Sequence, residues 1–269
     1  MTMQRLDSIL VGMGLSERTI SAYKRVYTQL AGFVNGKPTQ TDLLSFLGRV
    51  RSSGISESSY YLYYYALKKL AEIIKVPLNV KPPVRPEPQS RPVITLEQLE
   101  DLVFWAKKNG TKATKFYLAL SCAFGFRRTE LCSLSPENFV DNYIIVRPKK
   151  RGRTRRHVIP EEIAEEVYSF RPSPMNEGTM SEFFKGLARK VGVKLPPRSG
   201  WHSIRRLLVT SLYTSGVDPL LINKFMGWSL SSATFAPQMV DVYARIESEE
   251  IDRTIFENNK LLDLWREDE

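Results

Sequence analysis

His202 and Arg205, within Trp201-His202-Ser203-Ile204-Arg205-Arg206, stand three residues apart, so on a helix they share a face and can reach one anion. The anion that suits such a pair is a phosphate. A phosphodiester resists nucleophilic attack, and attack adds negative charge to its non-bridging oxygens, so fixed cations must surround it. Arginine can do this without a metal, because its guanidinium stays charged and grips two oxygens at once. Another arginine, Arg127, lies upstream in Gly125-Phe126-Arg127-Arg128-Thr129-Glu130-Leu131, with Glu130 one turn on to orient it. In isolation that pair reads equally well as a salt bridge at a helix start, and His-x-x-Arg turns up by chance. Their order along the chain adds weight. Between them lies the densest basic run of the sequence, Arg147-Pro148-Lys149-Lys150-Arg151-Gly152-Arg153-Thr154-Arg155-Arg156; Trp228 follows Gly227; and Tyr243 is the only tyrosine after Tyr213.

Elements able to position these residues are legible around them. Ile20, Tyr23, Val26, Tyr27, Leu30 and Phe33 recur at helical spacing after Ser16, with Lys24 and Arg25 on another face; 39–50 and 58–74 repeat the pattern. Tyr60, Tyr61, Tyr63, Tyr64 and Tyr65 are too many for one buried stripe, so some belong at the surface, as incidental exposure or as contacts to phosphate or bases. Six prolines between Pro77 and Pro92 forbid helix and leave an extended strap with Lys81, Arg85 and Arg91, either a plain linker or a segment that follows a duplex. Thr95-Leu96-Glu97-Gln98 is a capping box, and the short apolar run 116–124 reads as a buried helix. Tyr143-Ile144-Ile145-Val146 and His157-Val158-Ile159 flank the basic run as a hairpin. Helices are expected over 161–170, 180–191, 202–214 and 219–226, with Gly192, Gly216 and Gly227 at their ends.

Composition narrows the partner. Residues 1–92 hold 13 Lys/Arg against 6 Asp/Glu and residues 93–243 hold 22 against 14, while the last 26 hold 4 against 9. A basic body calls for a polyanion, and no basic amphipathic helix suggests a membrane surface, so nucleic acid is the expected ligand. There is no long apolar span and no signal-peptide core, which gives the expectation of a soluble, cytoplasmic, nucleoid-associated protein. Cys122 and Cys132 read as reduced, buried thiols; neither a zinc site nor a disulfide framework is suggested. Gly-rich phosphate loops and metal motifs are missing, so no cofactor is expected.

Taken together and in order, these residues resemble the active site of tyrosine site-specific recombinases (integrases), over most of the chain. The resemblance implies a mainly α fold: an amino-terminal helical core-binding (SAM-like) domain over 1–80, a linker over 81–92, an α-rich catalytic domain with a small antiparallel sheet over 93–247, and a tail over 248–269. It implies Tyr243 as nucleophile, leaving a 3′-phosphotyrosyl link and a free 5′ hydroxyl, with Arg127 and Arg205 as clamp. It gives His202 a phosphate contact and a part in proton transfer, and it puts Trp228 where the family has a histidine or, in some members, a tryptophan. A hairpin lysine, Lys150 or its neighbour Lys149, would protonate the leaving 5′ oxygen. Arg147, Arg151, Arg153, Arg155, Arg156, Arg206, Lys24 and Arg25 are the expected DNA contacts. Double-stranded DNA is the implied partner, on which the protein forms a homo-oligomer, a tetramer on two sites. Neither metal nor nucleotide is implied, since phosphotyrosine conserves the bond energy.

Two points stay open at this stage. Trp228 and Tyr243 are 15 residues apart, longer than in many relatives, with the extra length in 229–237, so attack within one protomer or on a neighbour's site is not decided. The tail, with Ile251, Ile255, Leu261, Leu262, Leu264 and Trp265 in an acidic segment, fits docking on a neighbouring protomer as well as packing on its own domain. Docking would speak mildly against a monomeric type IB topoisomerase, and the full set from Arg127 to Tyr243 speaks against an inactive DNA-binding relative. The two lysines are separable by the leaving group. If Lys150 is the acid, a 5′-bridging sulfur at the scissile phosphate should restore cleavage to Lys150→Ala, because a thiolate leaves unprotonated. Restoration of Lys149→Ala instead would reverse the assignment.

Overall fold

The computed structural model describes residues 3–84, 93–147, 154–228 and 247–266. The chain divides into two compact units, Met1–Ser90 and Arg91–Glu269.

Among the described residues the first unit contains four helices: α1 (Met3–Gly12), α2 (Glu17–Ala31), α3 (Gln40–Ser52) and α4 (Glu57–Ile74). Each start after α1 is set by a side-chain cap, as Ser16, Thr39 and Ser56 accept backbone N–H groups of the first turn. Leu10, Leu30, Leu43, Leu67 and their neighbours form the unit's own core. α1 was not anticipated from the sequence, its short apolar stripe being broken by Asp7 and Ser8. The tyrosine cluster differs from expectation too. Tyr64 is buried, the other four are half-buried, and Leu62 is the exposed residue of that stretch. The rings pack on each other and on Phe46, and Arg51 stacks on Tyr60, so aromatic packing accounts for more of them than one stripe could.

The second unit is built around α6 (Lys112–Phe124), whose residues 116–124 are all buried. Packed about it are α5 (Leu96–Asn109), the short α7 (Arg128–Leu131) and α8 (Ala164–Tyr168), then α9 (Glu177–Val191), α10 (Trp201–Thr214) and α11 (Pro219–Phe225). The Thr95 and Gln98 capping box is formed as the sequence suggests. The sheet has three antiparallel strands in the order β1 (Phe139–Val140), β2 (Tyr143–Val146), β3 (Arg155–Val158). The hairpin pair was expected and β1 was not, a two-residue strand being too short to show alternation. Register pairs Val146 with Arg155 and Ile144 with His157. Both cysteines are buried thiols outside any disulfide, and burial pushes the Cys122 thiol up to about 12. No helix among the described residues is long and apolar enough to cross a membrane.

The tail forms α12 (Ser248–Glu257) and α13 (Lys260–Asp263). It does not stand ready as a free docking element: Ile251, Ile255, Leu261, Leu262 and Trp265 are buried in the core of their own unit. Two polar residues fix it there. Asp252, 2% exposed, accepts the Val158 backbone N–H at 2.8 Å and pairs with His157 Nδ1 at 2.7 Å, while Asn259 Nδ2 donates to the Cys122 carbonyl at 3.0 Å. The acidic composition that suggested a partner is carried by the solvent face of α12, where Glu249 and Glu250 lie. Ile255→Ala should therefore lower the melting temperature by about 4 °C or more, from a cavity cost of roughly 2–5 kcal/mol. A chain lacking 248–269 should lose its cooperative melt, and a truncated protein melting at the full-length temperature would contradict this packing.

Candidate active site

Glu130 stands at the centre. α6 ends at Gly125 in the left-handed conformation (φ 56°), where a Cβ would lie 3.0 Å from Leu208 Cδ2, so the chain turns in a space closed to side chains. Phe126 is buried and stacks on Phe124; Arg127 follows as the cap residue of α7. One turn on, Glu130 turns its carboxylate back: Oε2 accepts the Arg127 backbone N–H and Oε1 pairs with Arg127 Nη1, both at 2.8 Å. Glu130 is 2% exposed and the Arg127 side chain 32%, so that guanidinium is held on one side by a buried carboxylate while its side chain keeps access to solvent. Burial pushes the Glu130 carboxyl up, but the charge of Arg155 and the hydrogen bonds from Arg127 outweigh it and hold the group below the usual range.

α10 carries the next pair. Trp201 is buried in its first turn with Nε1 donating to the Met180 carbonyl at 2.8 Å and its ring stacked on Phe183, which locks the start of α10 onto α9. His202, the next residue, is exposed. Arg205, one turn on, is 4% exposed; Nη1 donates to the Gly125 carbonyl at 2.7 Å and Nη2 to the Met226 carbonyl at 3.2 Å. Its guanidinium carbon lies 5.5 Å from the centroid of the Trp228 ring. Burial, then the charges of Arg127 and Arg155, lower the Arg205 pKa to about 9 against the opposing pull of Glu130. Arg127 and Arg155 thus contact one carboxylate, and Arg205, held by backbone carbonyls, feels its charge. Three cations near one anion leave a site that favours a further negative charge, and the carbonyl end of α6 holds Arg205.

Arg127, Arg205 and Trp228 are brought together, with His202 on the same helix as Arg205 at its exposed start. Arg206 is half-buried. Arg155, expected on the DNA-facing surface, is instead 6% exposed, with Nη2 2.8 Å from Glu130 Oε2. The reason is strand periodicity: residues 155 and 157 point inward and 156 outward, so Arg155 lies on the same face as His157. Arg156 is exposed and stacked 3.5 Å above the Tyr143 ring, whose hydroxyl donates to Glu249 of α12. Arg147 is exposed at the end of β2. In the helical unit Arg25 is exposed and Lys24 pairs with Asp7 of α1 at 2.6 Å. Tyr243, Lys149, Lys150, Arg151, Arg153 and the 229–237 segment lie outside the described residues. Among the described residues no group of His, Cys, Asp and Glu could hold a metal ion.

Sequence reasoning overlooked the inward Arg155 and the buried His157–Asp252 pair. One signal was available. With Ile159 and His157 assigned to the core face of a strand, alternation puts Arg155 there too. Asp252 gave no such signal, since an acid within an acidic segment reads as solvated. The excess positive charge has a measurable consequence. At pH 7 sulfate should raise the melting temperature by about 2–4 °C over chloride of matched ionic strength, and less in Arg127→Ala. A bound anion favours the charged form of Arg205, so this increment should be full below pH 9 and fade as pH rises through about 9. An increment unchanged in Arg127→Ala would mean that sulfate acts elsewhere.

Comparison with known proteins finds similar chains. Residues 166–247 match the phage integrase family, a span that contains His202, Arg205, Trp228 and Tyr243. The tyrosine recombinase XerA of Pyrococcus furiosus is 25% identical over 93% of this chain and 91% of its own length. The tyrosine recombinase XerA of Pyrococcus horikoshii is 27% identical over 93% and 90%. In fold the chain resembles lambda integrase, solved as a tetramer bound to a Holliday junction, with a TM-score of 0.64 at 17% identity over 85% of this chain and 74% of that one. The chain is thus similar to the phage integrase family over residues 166–247 and, over most of its length, to tyrosine recombinases named XerA.

Proposed function

We propose that this protein is a site-specific DNA recombinase, and the observation that carries the reading is the pair of arginines, Arg127 and Arg205, anchored within one cationic pocket beside Trp228. Tyr243 attacks the scissile phosphorus, forming a 3′-phosphotyrosyl bond as the bond to the 5′ oxygen breaks. Lys150, or Lys149, gives the leaving oxygen its proton. Arg127 and Arg205 offset the charge that grows on the non-bridging oxygens, His202 contacts the phosphate and moves a proton, and Trp228 packs against Arg205 with its indole N–H available to a phosphoryl oxygen. A 5′ hydroxyl from a partner duplex then attacks the phosphotyrosine, forming the new phosphodiester as the bond to the Tyr243 oxygen breaks and the phenol regains a proton.

The partner is double-stranded DNA, held by the basic hairpin through Arg147, Arg151, Arg153 and Arg156, by Arg206, and by Lys24 and Arg25 of the helical unit. Arg25 and Arg147 have the exposure this requires, and Lys24 is already engaged by Asp7. The protein works as a homo-oligomer on DNA, a tetramer when two sites are joined, inside the cell. With the tail buried in its own unit, strand relaxation by a monomer is disfavoured by the relatives alone: two named as tyrosine recombinases and a structural neighbour solved as a tetramer on a four-way junction.

A nicked suicide substrate tests the reading, using as its site the duplex that full-length protein selects from a randomised pool. Covalent protein–DNA complex on a denaturing gel is expected from the wild type and none from Tyr243→Phe, with DNA affinity nearly unchanged. Arg127→Ala and Arg205→Ala should each slow single-turnover cleavage by roughly 100-fold or more, the usual effect of losing one donor to a developing oxyanion. Adduct persisting in Tyr243→Phe would move the nucleophile to another tyrosine.

A further inference from the structure

Arg155 was expected to contact DNA, yet its position does not suit that role. Its guanidinium sits inside the unit, with the side chain 5% exposed. One nitrogen, Nη2, lies 2.8 Å from Glu130 Oε2, and the other, Nη1, donates to the Met226 carbonyl at 3.2 Å. Each of these two acceptors also holds a clamp arginine: Glu130 Oε1 pairs with Arg127, and the Met226 carbonyl accepts from Arg205 Nη2. Arg155 therefore joins the anchor of one clamp residue to the anchor of the other. The fold clears a path for it. Gly227 has φ 63°, and a Cβ there would come within 2.5 Å of Arg155 Cδ and 2.9 Å of Nε, so the side chain passes through the space that glycine leaves open. The Phe126 ring, 5.5 Å from the guanidinium carbon, covers another side.

We propose that Arg155 is a positioning residue: it fixes Glu130 and the Met226 carbonyl, and through them the spacing of Arg127 and Arg205 around the phosphate, without touching DNA. The inference rests on the recombinase reading above and assigns a role that differs from phosphate contact. A surface arginine contributes to DNA affinity and its salt dependence; an arginine that spaces two others contributes to the rate of the chemical step, because misplaced donors no longer meet the transition-state oxygens. It also predicts that Arg155 and Glu130 act as one unit, so losses from changing either should not add.

The test uses full-length protein and the nicked duplex described above. Single-turnover cleavage, DNA affinity and melting temperature are measured for Arg155→Met, Arg155→Lys, Glu130→Gln and the Glu130→Gln/Arg155→Met pair. Arg155→Met should slow cleavage by roughly 100-fold with affinity changed by less than about threefold. Arg155→Lys should recover about tenfold of that loss, since an ammonium can meet Glu130 but lacks the planar fork that also reaches Met226. The double variant should cleave no more slowly than the slower single one. If Arg155→Met fails to fold, the double variant, which removes both buried charges, and Arg155→Lys decide the question by the same affinity and rate comparison. Cleavage within about fivefold of wild type, an affinity loss as large as the rate loss, or multiplying effects of the two substitutions would each overturn the assignment. A wild-type protein that forms no covalent complex would instead overturn the recombinase reading and this inference with it.

Discussion

One buried carboxylate carries the site. Glu130 reaches its 2% exposed position only because Arg127 and Arg155 meet its two oxygens and the Arg127 backbone N–H adds a third contact. Stripped of both cations, a carboxylate so placed is an uncompensated charge, a situation that costs about 3–5 kcal/mol, against the small contribution of an exposed ion pair. Much else in the second unit serves this arrangement. α6 must stop at Gly125 for Arg127 to emerge beside Glu130, β3 must keep its register for Arg155 to point inward, and α10 must start at Trp201 for Arg205 to arrive beneath both.

The carbonyl groups around Arg205 show how a guanidinium is kept charged with little access to water. The carbonyl end of α6 is shared between two visitors from far along the chain, Asn259 of the tail at Cys122 and Ala123 and Arg205 of α10 at Gly125. Those carbonyls have no partner within their own helix, so each visitor satisfies a group that burial would otherwise leave bare, and the helix dipole favours the cation. The tail thus belongs to the floor of the site as much as to the core, and the His157–Asp252 pair ties it to the strand that delivers Arg155.

How much of this was legible depended on whether a residue's environment is set locally. Helix starts at Ser16, Thr39 and Thr95 were readable because a cap is a contact between residues three apart, and the buried α6 because its apolar run admits no other placement. The Arg127–Glu130 contact was readable for the same reason. Arg155 was misread because its neighbours Arg151, Arg153 and Arg156 made a charge cluster look uniformly solvated, whereas a strand sends alternate members to opposite faces. The destination of the tail was open in the sequence, since an amphipathic acidic helix fits an intramolecular groove and a neighbour's groove alike. Met226, whose backbone oxygen receives two arginines, carries no side-chain signal at all.

The close passage of Arg155 over Gly227 links positions that are distant in the chain into one heritable unit. Any side chain at 227 displaces the arginine, and losing the arginine strands the second oxygen of Glu130, so a lineage cannot change 130, 155 or 227 singly without losing the arrangement. Exchange of this site with a homologue's, by recombination or by design, would have to carry a glycine, a strand residue and a helix-capping acid together, although none of the three is within 20 residues of another.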